Sequence, residues 1–295
     1  MCHAHSKGAR VVLKEDVPIK DIIDPTFRAS WIAKKLNLAK EQHMDGINLY
    51  IGQKVHCSTP EYDALTALVK ETTEAFHREI EGSQVTVDVN WSPKHNNLSC
   101  YNYTGIADAS DFVFVMSFGK RNPVGIAAAN APYKQILTGY EDYISMGINP
   151  RKLVMGVPWY GYDYTCLKLS ADHVCTTTKV PLLTASYQGF SRRLVSYKVI
   201  MKYLKTSTSG IQWNEDQQAP YYNYQDSAGS FHQVWYDNPR SISLKVSYVV
   251  KNGLRGIGMW HANSLDYSED ATAKQQTEEM WQVLKPQWTF LKPKL

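Results

Sequence analysis

Runs with strand character alternate along this chain with amphipathic helical stretches, and that alternation restricts the fold more than any other feature. Residues 60–81 show the helical type: Pro60 and Glu61 open it, Leu65, Leu68, Val69, Phe76 and Ile80 recur at helical spacing, and Gly82 closes it. A strand is expected at 85–91. The pattern repeats with a strand at 112–118, a helix at 133–146, a strand at 153–159, a helix at 197–205, a strand at 256–260 and a helix at 271–284. Such an order predicts a parallel sheet with right-handed crossovers, and at 295 residues a (β/α) barrel is a natural closure. With 43% hydrophobic residues the chain can bury one large core, so a single domain over 1–295 is expected. Between 161 and 250 the alternation weakens into an aromatic-rich region, with short strands expected at 221–226 and 231–237 around turns.

Residues 45–52 read Asp45-Gly46-Ile47-Asn48-Leu49-Tyr50-Ile51-Gly52, and on a strand Asn48, Tyr50 and Gly52 share one face. The segment closely resembles the Asp-x-x-Asp-x-Asp-x-Glu signature of glycoside hydrolase family 18. Residues 7–13, 85–93, 112–118, 152–161 and 254–260 resemble that family's barrel strands in the family's order. The resemblance implies an α/β fold of the (β/α)8 TIM-barrel type, with 161–250 a small α+β insertion walling one side of a groove. The family places two strands before the one at 7–13, so this chain is expected to hold strands three to eight. An open barrel edge leaves backbone groups unpaired, which predicts poor solubility.

Family 18 hydrolysis is substrate-assisted: the acetamido carbonyl of the sugar attacks its own anomeric carbon while the Glu protonates the leaving oxygen, an exception to the two-carboxylate scheme. The last position of the signature is Gly52 here, and the Asp two residues earlier, which orients the acetamido group, is Tyr50. Glycine has no proton to give, and a neutral phenol lacks a carboxylate's electrostatics. A second segment departs too, since Met116-Ser117-Phe118-Gly119 stands where the resemblance implies Met-Ser-Tyr-Asp. No catalytic residue is therefore expected to be retained, and hydrolysis is expected to be lost or severely impaired. A non-catalytic lectin and a decayed gene product are the alternatives.

Other positions match the family's sugar-binding set: Asp45, Asn48, Asn90, Met116, Trp159, Tyr236 and Trp260, with Trp260 as the stacking floor. Each aromatic also reads as ordinary packing, and Asp45 as a strand support. The implied ligands are β-1,4-linked N-acetylglucosamine oligosaccharides. A net charge of +4 with scattered Lys and Arg argues against nucleic acid. Apolar runs fall short of the ~20 residues of a membrane span, and the first residues lack the apolar core of a secretory signal. A monomer without cofactor or metal is expected, because Cys2, His3 and His5 lack a fourth ligand at useful spacing. The resemblance also implies a lysosomal setting and two disulfides, Cys57 with Cys100 and Cys166 with Cys175. Asn97 and Asn102 open glycosylation sequons.

Overall fold

The computed structural model describes residues 2–94, 100–119, 125–177 and 192–285. It divides into two compact units, Met1–Met116 with Thr138–Met155 and Gly253–Gly256, and Ser117–Leu137 with Gly156–Asn252 and Ile257–Leu295.

After a short helix α1 (Cys2–Ser6), the chain runs through β1 (Leu13–Asp16), α2 (Pro25–Glu41), β2 (Gly46–Tyr50), α3 (Pro60–Glu79), β3 (Gln84–Asn90), α4 (Tyr103–Ala109), β4 (Phe112–Met116), α5 (Tyr133–Ser145) and β5 (Leu153–Pro158). Strands β1 to β5 pair in parallel in chain order, with Asn48 opposite Thr86, Tyr50 opposite Asp88 and Asn90 opposite Met116. The chain's last strand, β13 (Gly256–Trp260), completes this six-stranded sheet beside β5. Alternation gives each strand two chemistries. Ile47, Leu49, Val85, Val87, Val89, Val113 and Val115 are buried, as are Leu65, Leu68, Val69 and Phe76 of α3. The opposite face carries Asn48, Tyr50, Thr86, Asp88, Asn90 and Met116.

Two devices fix this packing. Gly46 has φ +147, and a Cβ there would lie 1.9 Å from the Gln84 carbonyl oxygen, so only glycine lets β2 start this close to β3. Between α2 and α3, the buried Arg28 guanidinium forks onto Glu71 at 2.8 and 2.9 Å and donates to the Ile22 carbonyl at 2.9 Å.

The second unit holds an antiparallel sheet. After β6 (Tyr160–Thr165) come a two-stranded ribbon of β7 (Lys168–Leu169) and β8 (Cys175–Thr176), then β9 (Arg192–Ser196), α6 (Tyr197–Leu204), β10 (Gln212–Asn214), β11 (Ala219–Gln225), β12 (Phe231–Trp235), α7 (Pro239–Lys251) and, after β13, α8 (Ala271–Gln282). Five strands pair in the order β10-β11-β12-β6-β9. Trp159, Ile200, Tyr222, Val234, Tyr236, Ile242 and Met280 are among its core.

The structure corrects two expectations. The strand expected over 7–13 begins only at Leu13: α1 is followed by a turn at residues 7 and 8 and an irregular stretch over 9–12. The strand expected over 152–161 is two: at Trp159 the backbone N–H donates to the Trp260 carbonyl at 2.7 Å and the carbonyl accepts from Tyr197 at 3.1 Å, so the chain changes sheets there. Among the described residues, 161–250 holds antiparallel strands with two helices, and α7 is set by a capping box in which Asn238 and Ser241 cap each other.

Candidate functional site

In the first unit, β2 and β3 present the polar positions. Asn48 Nδ2 donates to Thr86 Oγ1 at 2.9 Å and to Asp88 Oδ1 at 3.0 Å. Burial pushes the Asp88 carboxyl up to about 6, against the opposing effects of the Asn48 bond and the charge of Lys14. Lys14 Nζ lies over the Tyr50 ring, 4.8 Å from its centroid, and pairs with Asp16 at 2.7 Å. A Cβ on Gly52 would sit 2.9 Å from Tyr50 Cε1 and 3.5 Å from Cδ1. The Tyr50 ring thus lies across the space through which a side chain at position 52 would leave the backbone. Asn90 is half-buried beside Met116, its amide 3.5 Å from the Tyr103 hydroxyl and its carbonyl accepting from Tyr143 at 2.5 Å.

Asp45 sits at the other end of β2. Its carboxylate accepts the Val11 N–H at 2.7 Å and meets His5 Nε2 at 2.8 Å, and the Val11 bond chiefly holds it below the usual carboxylate range. Five residues of strand, roughly 16 Å at ~3.3 Å each, separate it from Tyr50. Asp45 ties the segment before β1 to the start of β2.

In the second unit, the expected aromatics divide. Trp260 is 49% exposed, with His261 edge-on at 5.3 Å. Trp159 is fully buried and packs edge-to-face on Trp281 at 4.9 Å, and Tyr236 is 2% exposed. Both belong to the core cluster of the second unit. The neighbouring Asp237 is the buried acceptor of Lys245 and Ser241. Phe118 packs edge-to-face on Tyr160 at 6.0 Å. Gly119 has φ +79, donates to Asn130 Oδ1 at 2.7 Å, and its missing Cβ would come within 4.0 Å of the Tyr160 and Tyr162 hydroxyls.

Sequence reasoning named Tyr160 only as a strand end and passed over Tyr162 and Asp163. The period-2 recurrence of Tyr160, Tyr162 and Tyr164 is the signal that marks this strand. Cys57 is bonded to Cys100 and Cys166 to Cys175, with Cα atoms 5.0 and 5.2 Å apart. Asn102 caps α4 by accepting the Gly105 N–H at 2.9 Å, and Asn97 lies outside the described residues.

A parallel sheet whose strands alternate with helices, with polar positions gathered on β2 and β3, is the frame of a glycosidase-type barrel, and the model of glycosyl hydrolases family 18 matches residues 16–265. The chain belongs to that family. It is 70% identical to di-N-acetylchitobiase of Homo sapiens over 289 residues, covering 97% of this chain and 75% of the human protein. Identity to the Mus musculus di-N-acetylchitobiase is 69%, over 97% of this chain and 79% of the mouse protein. Among solved structures, a GH18 chitinase from Cycas revoluta in complex with (GlcNAc)3 superposes with a TM-score of 0.75 at 20% identity, covering 93% of this chain and 81% of that one. A class V chitinase from Nicotiana tobaccum gives 0.72 at 20% identity, with 92% and 81% covered. These neighbours establish the barrel-type fold. The family and fold class expected from the sequence are those found.

Proposed function

We propose that this chain is a di-N-acetylchitobiase-like family 18 protein that binds β-1,4-linked N-acetylglucosamine oligosaccharides, including the chitobiose core of N-glycans, and hydrolyses them poorly or not at all. The observation that carries the reading is the Tyr50 ring lying across the side-chain space of Gly52. Protonation of the leaving oxygen needs an acid within about 2.6–3.2 Å, and its loss removes roughly 10²- to 10⁴-fold in rate. Tyr50 supplies no charge for a developing oxazolinium cation. The disulfides support an oxidising lumen, with the lysosome expected from the resemblance.

A lectin role is the second reading, and the half-exposed Trp260 favours it, because an indole face suits the apolar face of a pyranose. Purified protein is mixed with di-N-acetylchitobiose, and both binding and the sugar recovered are measured, with Trp260→Ala beside it. The expected outcome is saturable binding, intact sugar, and roughly tenfold weaker binding by the variant. Released N-acetylglucosamine would overturn the loss of hydrolysis. Absence of binding would overturn the sugar-binding reading.

A further inference from the structure

At the amino ends of the strands of the first unit, a cavity of about 360 Å³ is lined by Arg10, His77, Gly82, Ser83, Gln84, Asp111 and Arg255. Its charges are unevenly paired. Asp111 is the only carboxylate in the lining, and its Oδ2 is engaged by the Val85 N–H at 2.6 Å and by His77 Nε2 at 3.1 Å. Arg255 is anchored through its backbone N–H, which donates to the Leu153 carbonyl at 2.9 Å, and its guanidinium lies over the Phe112 ring at 4.8 Å. That guanidinium has no carboxylate partner among the described residues. Arg10 meets Gln84 Oε1 at a long 3.5 Å and feels the charge of Asp45, whose carboxylate is already held by Val11 and His5.

Ser83 supplies an independent observation. It is 8% exposed, and its hydroxyl has no hydrogen-bond partner among the described residues. Buried hydroxyls are nearly always paired, so one left unpaired in a residue that lines the cavity can take a partner there once its rotamer turns outward. Two under-paired guanidinium forks beside it give that partner a negative charge and several acceptor oxygens.

We infer that this cavity binds a tetrahedral oxyanion, carried as the phosphate or sulfate ester of a small molecule, through Arg10, Arg255 and the Ser83 hydroxyl. The volume lies in the range of small-ligand sites and exceeds what a bare ion fills, which favours an ester. The site lies at the opposite end of β2 from Tyr50 and does not depend on the hydrolase chemistry.

The test is calorimetric titration of the full chain with inorganic phosphate, inorganic sulfate, glucose 6-phosphate, glucose 6-sulfate and neutral glucose. The anions bind saturably, the esters more tightly than the bare ions, and glucose does not bind. Arg10→Gln combined with Arg255→Gln lowers ester affinity at least tenfold, and Ser83→Ala lowers it severalfold. Should the double variant unfold, amide NMR of the unsubstituted chain decides: glucose 6-phosphate shifts the Ser83 and Gln84 signals. No saturable anion binding, unchanged affinity in a folded double variant, or shifts confined elsewhere would overturn the site. Equal affinity for phosphate and its ester would keep the oxyanion and overturn the ester.

Discussion

At the carboxyl end of β2 the polar chemistry is thin: Asn48 holds Asp88, and a tyrosine ring fills the space above a glycine. In the antiparallel sheet of the second unit the buried Asp163 accepts from Tyr224 at 2.8 Å, Arg193 at 2.8 Å and His232 Nδ1 at 2.9 Å, joining β6, β11, β9 and β12 through one carboxylate. The difference separates two kinds of polar residue. Groups whose task is to meet substrate stabilise nothing when the site is empty. An Asp at position 50 would stand directly opposite Asp88, two carboxylates on neighbouring strands that repel. Asp163 holds strands together, so its loss unsettles the fold.

The contrast is tested most strongly by restoring the chemistry. Gly52→Glu alone is expected to give no turnover and a lower melting temperature, since its Cβ meets Tyr50 Cε1 at 2.9 Å. Tyr50→Asp with Gly52→Glu clears the space and returns the acid. Turnover of di-N-acetylchitobiose should then rise roughly 10²- to 10⁴-fold above the unsubstituted chain, or about 3–5 kcal/mol of barrier. Adding Phe118→Tyr and Gly119→Asp should raise it further, at about 1 kcal/mol of stability for a left-handed residue that Asp tolerates better than most. Full turnover from Gly52→Glu alone would show that Tyr50 is no obstacle.

Asp163→Ala should do the reverse, lowering stability by about 3–5 kcal/mol, because it leaves the buried Tyr224 hydroxyl, the Arg193 guanidinium and His232 Nδ1 without the acceptor they share. Thermal and urea melts read this directly. A loss under ~1 kcal/mol would place Asp163 among the dispensable polar groups and dissolve the distinction between the regions.

Much of this was legible in the sequence, for identifiable reasons. Helix α3 and strands β3, β4 and β13 announce themselves through period and caps. The positions that depart from the family signature, Tyr50 and Gly52, were legible because the strand frame fixes which residues share a face. The change of sheets at Trp159 was not legible, since Pro158-Trp159-Tyr160 is apolar throughout and the break is made by long-range backbone bonds to Trp260 and Tyr197. Nor could residue type separate the half-exposed Trp260 from the buried Trp159 and Tyr236, because burial is set by surroundings that an aromatic residue does not itself encode. The Asp163 network was silent for the same reason: its partners lie 30 to 69 residues away.

Asp88 gives the subtlest test, because it belongs to the thinned region yet remains buried and ionisable. Its carboxyl rises from 3.8 to about 6, mainly through burial. Folding therefore favours the protonated form: the associated stability is fully present below pH 3.8 and is lost as the pH rises through about 6. A rise from 3.8 to about 6, at ~1.4 kcal/mol per tenfold change in proton affinity, makes the charged form cost up to about 3 kcal/mol at neutral pH. Asp88→Asn keeps an acceptor for Asn48 and cannot ionise. Its melting temperature should exceed that of the unsubstituted chain at pH 7 by roughly 5–10 °C and match it near pH 4. A difference that stays constant with pH would mean that Asp88 ionises freely on folding, and the face of β2 and β3 would then be wetter than its packing implies.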